Sequence, residues 1–160
     1  MYANTWLIIT KTKSLKKKKM ANNYVFIIGI DPGKNTGIAV WGKPTKVFVE
    51  METTSIHKAM EKVKHYCNKY ENQVFVRFED ARLRKWLKNK TIDQLQGAGS
   101  IKRDCTIWED FLKDLGVPFS SLAPGTRPTK MKAGIFKTYT GWKGSTTDHA
   151  RDAAMLVFGY

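Results

Sequence analysis

The 160 residues, 42% of them apolar, fit one domain around a single core. A formal charge of +14 points to a polyanionic partner, nucleic acid before membrane. No apolar run approaches the length that spans a bilayer, and Cys67 and Cys105 lie far apart without metal-ligand spacing, as expected of reduced thiols in a cytoplasmic protein.

The charge is unevenly spread. Six lysines fall before Met20, with no acid among them, and removing them leaves +8 for residues 20–160. The folded part is therefore basic in its own right. Residues 1–20 have no amphipathic period and read as a mobile basic tail, or as a stretch upstream of a true start at Met20. A DNA-gripping arm is the functional alternative. Trp6-Leu7-Ile8-Ile9 is too short for a signal core, and its lysines follow it.

Tyr24 to Ile30 is an apolar strand that stops at an acid, Asp31, and Asp31-Pro32-Gly33 is turn chemistry leading into a second strand through Val40. A carboxylate at the end of a buried strand needs a partner, either a metal ion or turn amides. Thr45 to Met51 alternates as a third strand of a meander. Ser55 is a candidate N-cap for a helix to about Tyr70, with Ile56, Ala59, Met60, Val63 and Cys67 on one face. Gln73 to Glu79 is a fourth strand, again ending in acid.

Arg82, Arg84, Lys85, Lys88 and Lys90 then surround Trp86 with no anion among them. Ile92 to Leu115 is the longest helix, with Ala98, Ile101, Cys105, Trp108 and Leu112 as its stripe and Gly116 as its cap. Gly97 and Gly99 are expected to let another backbone approach. Val117 to Leu122 is a short fifth strand, edge-like because of Pro118. A basic loop carries Arg127, Lys130, Lys132, Lys137 and Lys143 among Phe136, Tyr139 and Trp142, and a last helix runs from Thr147 to Phe158. These elements form an α/β three-layer architecture.

Acids thus stand at three element ends: Asp31, Glu79, and the run Asp148-His149-Ala150-Arg151-Asp152. On a helix, spacings of three and four put His149 and Asp148 on one face with Asp152. Beyond Asp152 the helix is apolar all round, so its polar first turn must face something specific. Such a set suits two-metal phosphodiester hydrolysis, in which hard cations about 3.5–4 Å apart need oxygen ligands.

Ile-Asp-Pro-Gly-x-x-Thr-Gly from Ile30, a strand-terminal Glu79, and His149-x-x-Asp152 on a late helix together resemble the RuvC-type Holliday junction resolvases of the RNase H-like nuclease superfamily. The resemblance covers residues 24 to 158 in element order. It implies a five-stranded mixed sheet flanked by helices, two Mg²⁺ per site with Mn²⁺ as substitute and no small-molecule cofactor. It also implies a homodimer, and paired nicking of four-way DNA junctions in recombination and repair. By position, Asp31 would bridge the metals, Glu79 and Asp152 would complete the acids, and His149 ranks ahead of Asp148 as fourth ligand. Asp148 has a competing role, since Ser145-Thr146-Thr147-Asp148 is a capping signal and a first-turn acid suits the helix dipole. Asp80 is a lesser candidate than Glu79, because strand alternation turns it to the other face. The first loop is one residue shorter than in bacterial housekeeping resolvases, and Ala81-Arg82 stand where those enzymes carry an aromatic wedge. Both departures point to a divergent, phage or mobile-element type.

The basic segments would hold the DNA: Arg82, Arg84, Lys85, Trp86 and Lys88 after strand four, and Arg127, Lys130, Lys132, Lys137 and Lys143 after strand five. Trp86, Tyr139 and Trp142 suit stacking on unpaired bases, with burial the alternative for Trp142. Lys130 or Lys132 would stabilise the reacting phosphate, and the Gly97-Ala98-Gly99 face is the candidate dimer contact. Competing readings are a nuclease for flaps, forks or RNA–DNA hybrids, an actin-like phosphate loop (disfavoured by length), and a non-catalytic DNA-binding module.

Overall fold

The computed structural model describes residues 24–84 and 92–160, with side chains from residue 96 in the second stretch. The N-terminal tail and Lys85, Trp86, Lys88 and Lys90 lie outside the described residues.

Five strands are present: β1 (Phe26–Asp31), β2 (Asn35–Gly42), β3 (Val47–Ser55), β4 (Val74–Glu79) and β5 (Phe119–Leu122). They form one mixed sheet in the order β3-β2-β1-β4-β5. The β1–β2 and β2–β3 pairs are antiparallel, and β1–β4 and β4–β5 are parallel. The C-terminal ends of β1, β4 and β5 therefore lie along the same edge. That edge carries Asp31 and Glu79.

Helices cover both faces. On one, α1 (Ile56–Tyr70) and α2 (Ile92–Asp114) bury Ala59, Val63, Trp108 and Leu112 against Ile28, Ile30, Val76 and Phe78. On the other, α3 (Ala133–Thr140) and α4 (Asp148–Met155) bury Phe136, Ala153, Ala154 and Leu156 against Ile27, Ala39, Trp41 and Phe48. Alternate residues of β1 serve opposite layers, Ile28 and Ile30 one and Ile27 the other, as the two-residue period of a strand requires.

Four expectations change. The basic loop contains α3, ended by Gly141 in a left-handed conformation (φ 76°) that a glycine adopts at low cost. Only Phe136 of that helix is buried, so no apolar stripe announces it. In α2 the buried stripe runs through Cys105, Trp108 and Leu112, whereas Ile101 is 42% exposed. β-carbons built on Gly97 and Gly99 meet nothing within 4 Å, so among the described residues neither glycine brings another backbone close. Ser55 precedes α1, but it is still paired with Asn35 as part of β3 and its side chain makes no capping bond.

The tight contact lies elsewhere. A β-carbon on Gly29 would stand 2.1 Å from the Ala153 carbonyl oxygen, and one on Gly37 would stand 2.0 Å from that of His149. Helix α4 thus rests its backbone directly on β1 and β2. Gly37→Ala is expected to lower stability by about 1–3 kcal/mol or more, since only movement of α4 relieves the clash. Gly97→Ala, in open space within a helix, is expected to raise it by about 0.5–1 kcal/mol. Urea unfolding of both variants checks the pair; equal effects would contradict this account of the seam.

Candidate functional site

Asp31 closes β1, where it pairs with Gly37 across the turn. The buried Thr36 hydroxyl donates to the Gly33 carbonyl at 2.6 Å and fixes that turn. Glu79 ends β4, one position beyond the Ile30–Phe78 pair and opposite Leu122 of β5. The third contribution comes from the first turns of α4. Its N-cap is Thr147, whose side-chain oxygen accepts from the Ala150 amide at 3.3 Å and sits 2.5 Å from the Thr53 hydroxyl of β3. The cap therefore stabilises the helix end and ties it to the sheet.

With α4 seated on the glycines, His149 meets the end of β1: its Nδ1 is 2.8 Å from Asp31 Oδ2. Asp152, one turn on, accepts the Lys130 backbone N–H at 2.7 Å, Lys130 itself being in a left-handed conformation (φ 55°). Electrostatics link the acids. Burial raises the Asp31 carboxyl above its ordinary value, the His149 contact partly offsets this, and the Asp152 charge adds to the rise. Glu79 is raised by burial and then by Asp31 and Asp152, with Arg84 acting against them. These three acids and one imidazole lie in one electrostatic neighbourhood.

Asp148 stands apart. Its side chain is 82% exposed and pairs with the buried Arg151, which also donates from Nε to the Met131 carbonyl at 2.6 Å. It contributes to the shift of neither Asp31 nor Glu79. Its position in the first turn suits the helix dipole.

Asp80 is buried on the opposite side and is matched by Arg82, which donates Nε to Oδ1 at 2.8 Å and Nη2 to Oδ2 at 2.7 Å. Burial alone would raise the Asp80 carboxyl; the Arg82 hydrogen bonds hold it below its ordinary value. Arg82 also pairs with Glu109 of α2. The guanidinium of Arg82, expected to face DNA, is thus paired with two acids of the fold. Charge counting along the sequence cannot reveal such pairing.

The other expected DNA-facing residues have varied settings. Arg84 is exposed just after Glu79, Lys130 is exposed beside Asp152, and Lys132 is exposed immediately before α3. Lys143 is exposed, whereas Arg127 and Lys137 are partly buried. Trp142 donates Nε1 to the Ser145 carbonyl at 3.0 Å and meets Phe48 edge-on, so it packs as well as presents surface. Tyr139 is 59% exposed, with its ring 5.2 Å from that of Phe158. An open groove of ≈ 670 Å³ between β3 and α1, lined by Glu50, Glu52, Lys62 and Tyr66, lies on another part of the surface and carries none of the site acids.

Carboxylates that raise one another, with an imidazole beside them, form a donor set suited to a hard divalent cation. Among the described residues, no three His, Cys, Asp or Glu side chains surround a common point at ligand distance. The acids form an open cluster, with Asp31 turned to His149 and Asp152 to the Lys130 amide. Sequence reading missed that amide and the two seam glycines. Gly29, interrupting an apolar strand, was the available signal for the seam.

No protein-family model matches the sequence, and no curated protein is similar to it. Solved structures are. RuvC of T. thermophilus, in complex with its Holliday junction substrate, aligns at a TM-score of 0.53 and 14% identity, over 83% of this chain and 90% of RuvC. The yeast mitochondrial Holliday junction resolvase Ydc2 aligns at 0.41 and 11% identity, over 84% of this chain and 76% of Ydc2. The large terminase nuclease of thermophilic phage G20c aligns at 0.39 and 14% identity, over 72% of this chain and 50% of that one. The fold is the RNase H-like three-layer fold that the RuvC alignment exhibits.

The raised Glu79 has a definite consequence for stability. The native state holds its proton more tightly than the unfolded chain does, so stability is lost as pH rises from the ordinary value of 4.5 through the raised one. Glu79→Gln removes that titration. In EDTA it is expected to match the parent at about pH 3.5 and to exceed it in denaturant midpoint at about pH 7. A variant less stable than the parent at neutral pH would contradict the strained-carboxylate reading.

Proposed function

We propose that this protein is a metal-dependent DNA endonuclease that resolves four-way junctions. The observation that supports the reading is the Asp31–His149 contact at the C-terminal end of β1, with Glu79 and Asp152 near enough for their charges to act on it and on each other. They come from three elements, and their acids destabilise one another. Such an arrangement is costly for the fold and is expected where a cation and a phosphate are to be bound.

Two Mg²⁺ ions, with Mn²⁺ as substitute, would be held by Asp31, Glu79, Asp152 and His149, and would supply an activated water and charge stabilisation at the departing oxygen. Asp31, at the centre of the set, is the candidate bridging ligand. Its contact with His149 orients both side chains before a substrate arrives. The Lys130 amide holds Asp152 in place, while the exposed position of Lys130 leaves its ammonium available to the phosphate. Arg84, next to Glu79, and Lys132 and Lys143 would neutralise flanking phosphates.

A four-way junction has approximate two-fold symmetry, so paired nicks call for a symmetric dimer. The exposed Gly97 and Gly99 with Ile101 are the candidate contact. The second reading, a nuclease for flaps, forks or hybrids, has in its favour the absence of an aromatic residue directly after Glu79.

The test offers the purified protein a mobile junction, a flap, a duplex and an RNA–DNA hybrid, each with Mg²⁺ and with EDTA. Symmetric nicks in the junction alone, abolished by EDTA, are expected; equal cutting of duplex would refute junction specificity. Asp31→Asn and Asp152→Asn are expected to slow cleavage by about 100-fold or more while binding changes little. His149→Ala is expected to lose more activity than Asp148→Asn. The reverse order would make Asp148 the ligand.

A further inference from the structure

Arg77 has surroundings that the proposed chemistry does not explain. It lies in the middle of β4, two residues before Glu79, opposite Gly29 of β1 and Ser120 of β5. Strand alternation puts its side chain on the α4 face with Phe75 and Glu79. The residue is only 8% exposed, and its guanidinium Nε and Nη1 are buried without a hydrogen-bond partner. The Tyr160 ring covers the guanidinium, 4.6 Å from its centre, and stacks in turn on Phe75.

No described carboxylate pairs with Arg77, whereas a second guanidinium is near. Burial lowers the Arg77 pKa; Tyr160 acts in the opposite sense, and the charge of Arg127 adds a smaller lowering. A buried charge, two unmet donors and a like charge alongside are each unfavourable. The cation–π contact offsets only part of this. Arg77 is therefore unlike Arg82 and Arg151, whose partially or fully buried guanidiniums meet acids.

We propose that Arg77 and Arg127, with Ser120 opposite Arg77 on β5, form an oxyanion site for a phosphate group, separate from the Asp31–Glu79–Asp152 cluster. An oxyanion accepts from a forked guanidinium through two parallel bonds and gives both arginines a shared counter-charge. Tyr160, 43% exposed, forms the outer wall of the site. Two sources present this chemistry: a backbone phosphate of bound nucleic acid, and free inorganic phosphate. Only the first rests on the DNA reading.

Thermal melting in EDTA at matched ionic strength, titrated with inorganic phosphate against chloride, tests the site directly. The wild-type melting temperature is expected to rise saturably, by about 3 °C or more. Arg77→Lys keeps the charge but removes the fork, and is expected to weaken the phosphate effect by about tenfold or more. Arg127→Gln, a change nearer the surface, is expected to weaken it about fivefold and serves if Arg77→Lys does not fold. No saturable rise in the wild type, or the same rise in every folded variant, overturns the proposal and leaves Arg77 as a purely structural residue.

Binding of a labelled duplex across a range of salt then separates the sources. A salt slope reduced by about one in Arg77→Lys or Arg127→Gln assigns a backbone phosphate to the site. An unchanged slope, with phosphate stabilisation lost, assigns the free anion. If no nucleic acid binds while phosphate still stabilises the wild type, the nuclease reading fails and the oxyanion site stands.

Discussion

The site depends on a backbone-to-backbone contact. At Gly29 and Gly37 the sheet offers no side chain, and the carbonyls of Ala153 and His149, four residues apart on α4, fill that space. The seam is lined by further small residues, Ala39 on β2 and Ala150 and Ala154 on α4. Small residues on both sides let the helix axis come closer than a leucine-lined face would permit. The polar side chains beside the seam, His149 and Asp152, are then delivered to the end of β1 without long reaches. A helix held one side chain further out would leave Asp31 without its 2.8 Å partner.

This arrangement explains why the acids tolerate one another. Burial is the larger cause of the raised Asp31 and Glu79 carboxyls, and repulsion among the acids, which rigid packing on both faces of β1 and β4 keeps the strand ends from relieving, adds to it. The neighbouring acid shows the contrast. Asp80 follows Glu79 directly, faces the other way, and is lowered because Arg82 meets both of its oxygens. Adjacent carboxylates at the end of one strand therefore have opposite settings: Asp80 is matched by Arg82, whereas Glu79 is raised by its burial and by its neighbouring acids. That asymmetry is stronger support for a functional Glu79 than its position at a strand end.

Much of this could be read in the sequence because the acids interrupt strong patterns. Asp31 and Glu79 each end an apolar run, and His149 and Asp152 precede a stretch that is apolar all round, so period and polarity conflict at those residues. What escaped depended on partners rather than pattern. Arg82 reads as one cation of a basic run, yet its partners are Asp80 two residues back and Glu109 across the fold. Ile101 fits the α2 stripe, but periodicity does not say where the sheet beneath the helix stops. Helix α3 buries one residue and contains Gly134, so only the stop at Gly141 marked it.

The spent cations also change the meaning of the net charge. Arg82, Arg151, Lys62 and Lys113 neutralise acids of the fold itself, so they add little to a field that attracts DNA. Among the described residues, the exposed cations near the cluster include Arg84, Lys34, Lys130 and Lys132. Arg84 has a special position, since it is the described cation that lowers Glu79. It follows a turn pinned at Asp80 by Arg82, which is itself held by Glu109 of α2. The end of β4, the first outward cation and α2 are thus mechanically one unit. A rigid turn rather than a free loop therefore fixes the position of Arg84 relative to Glu79.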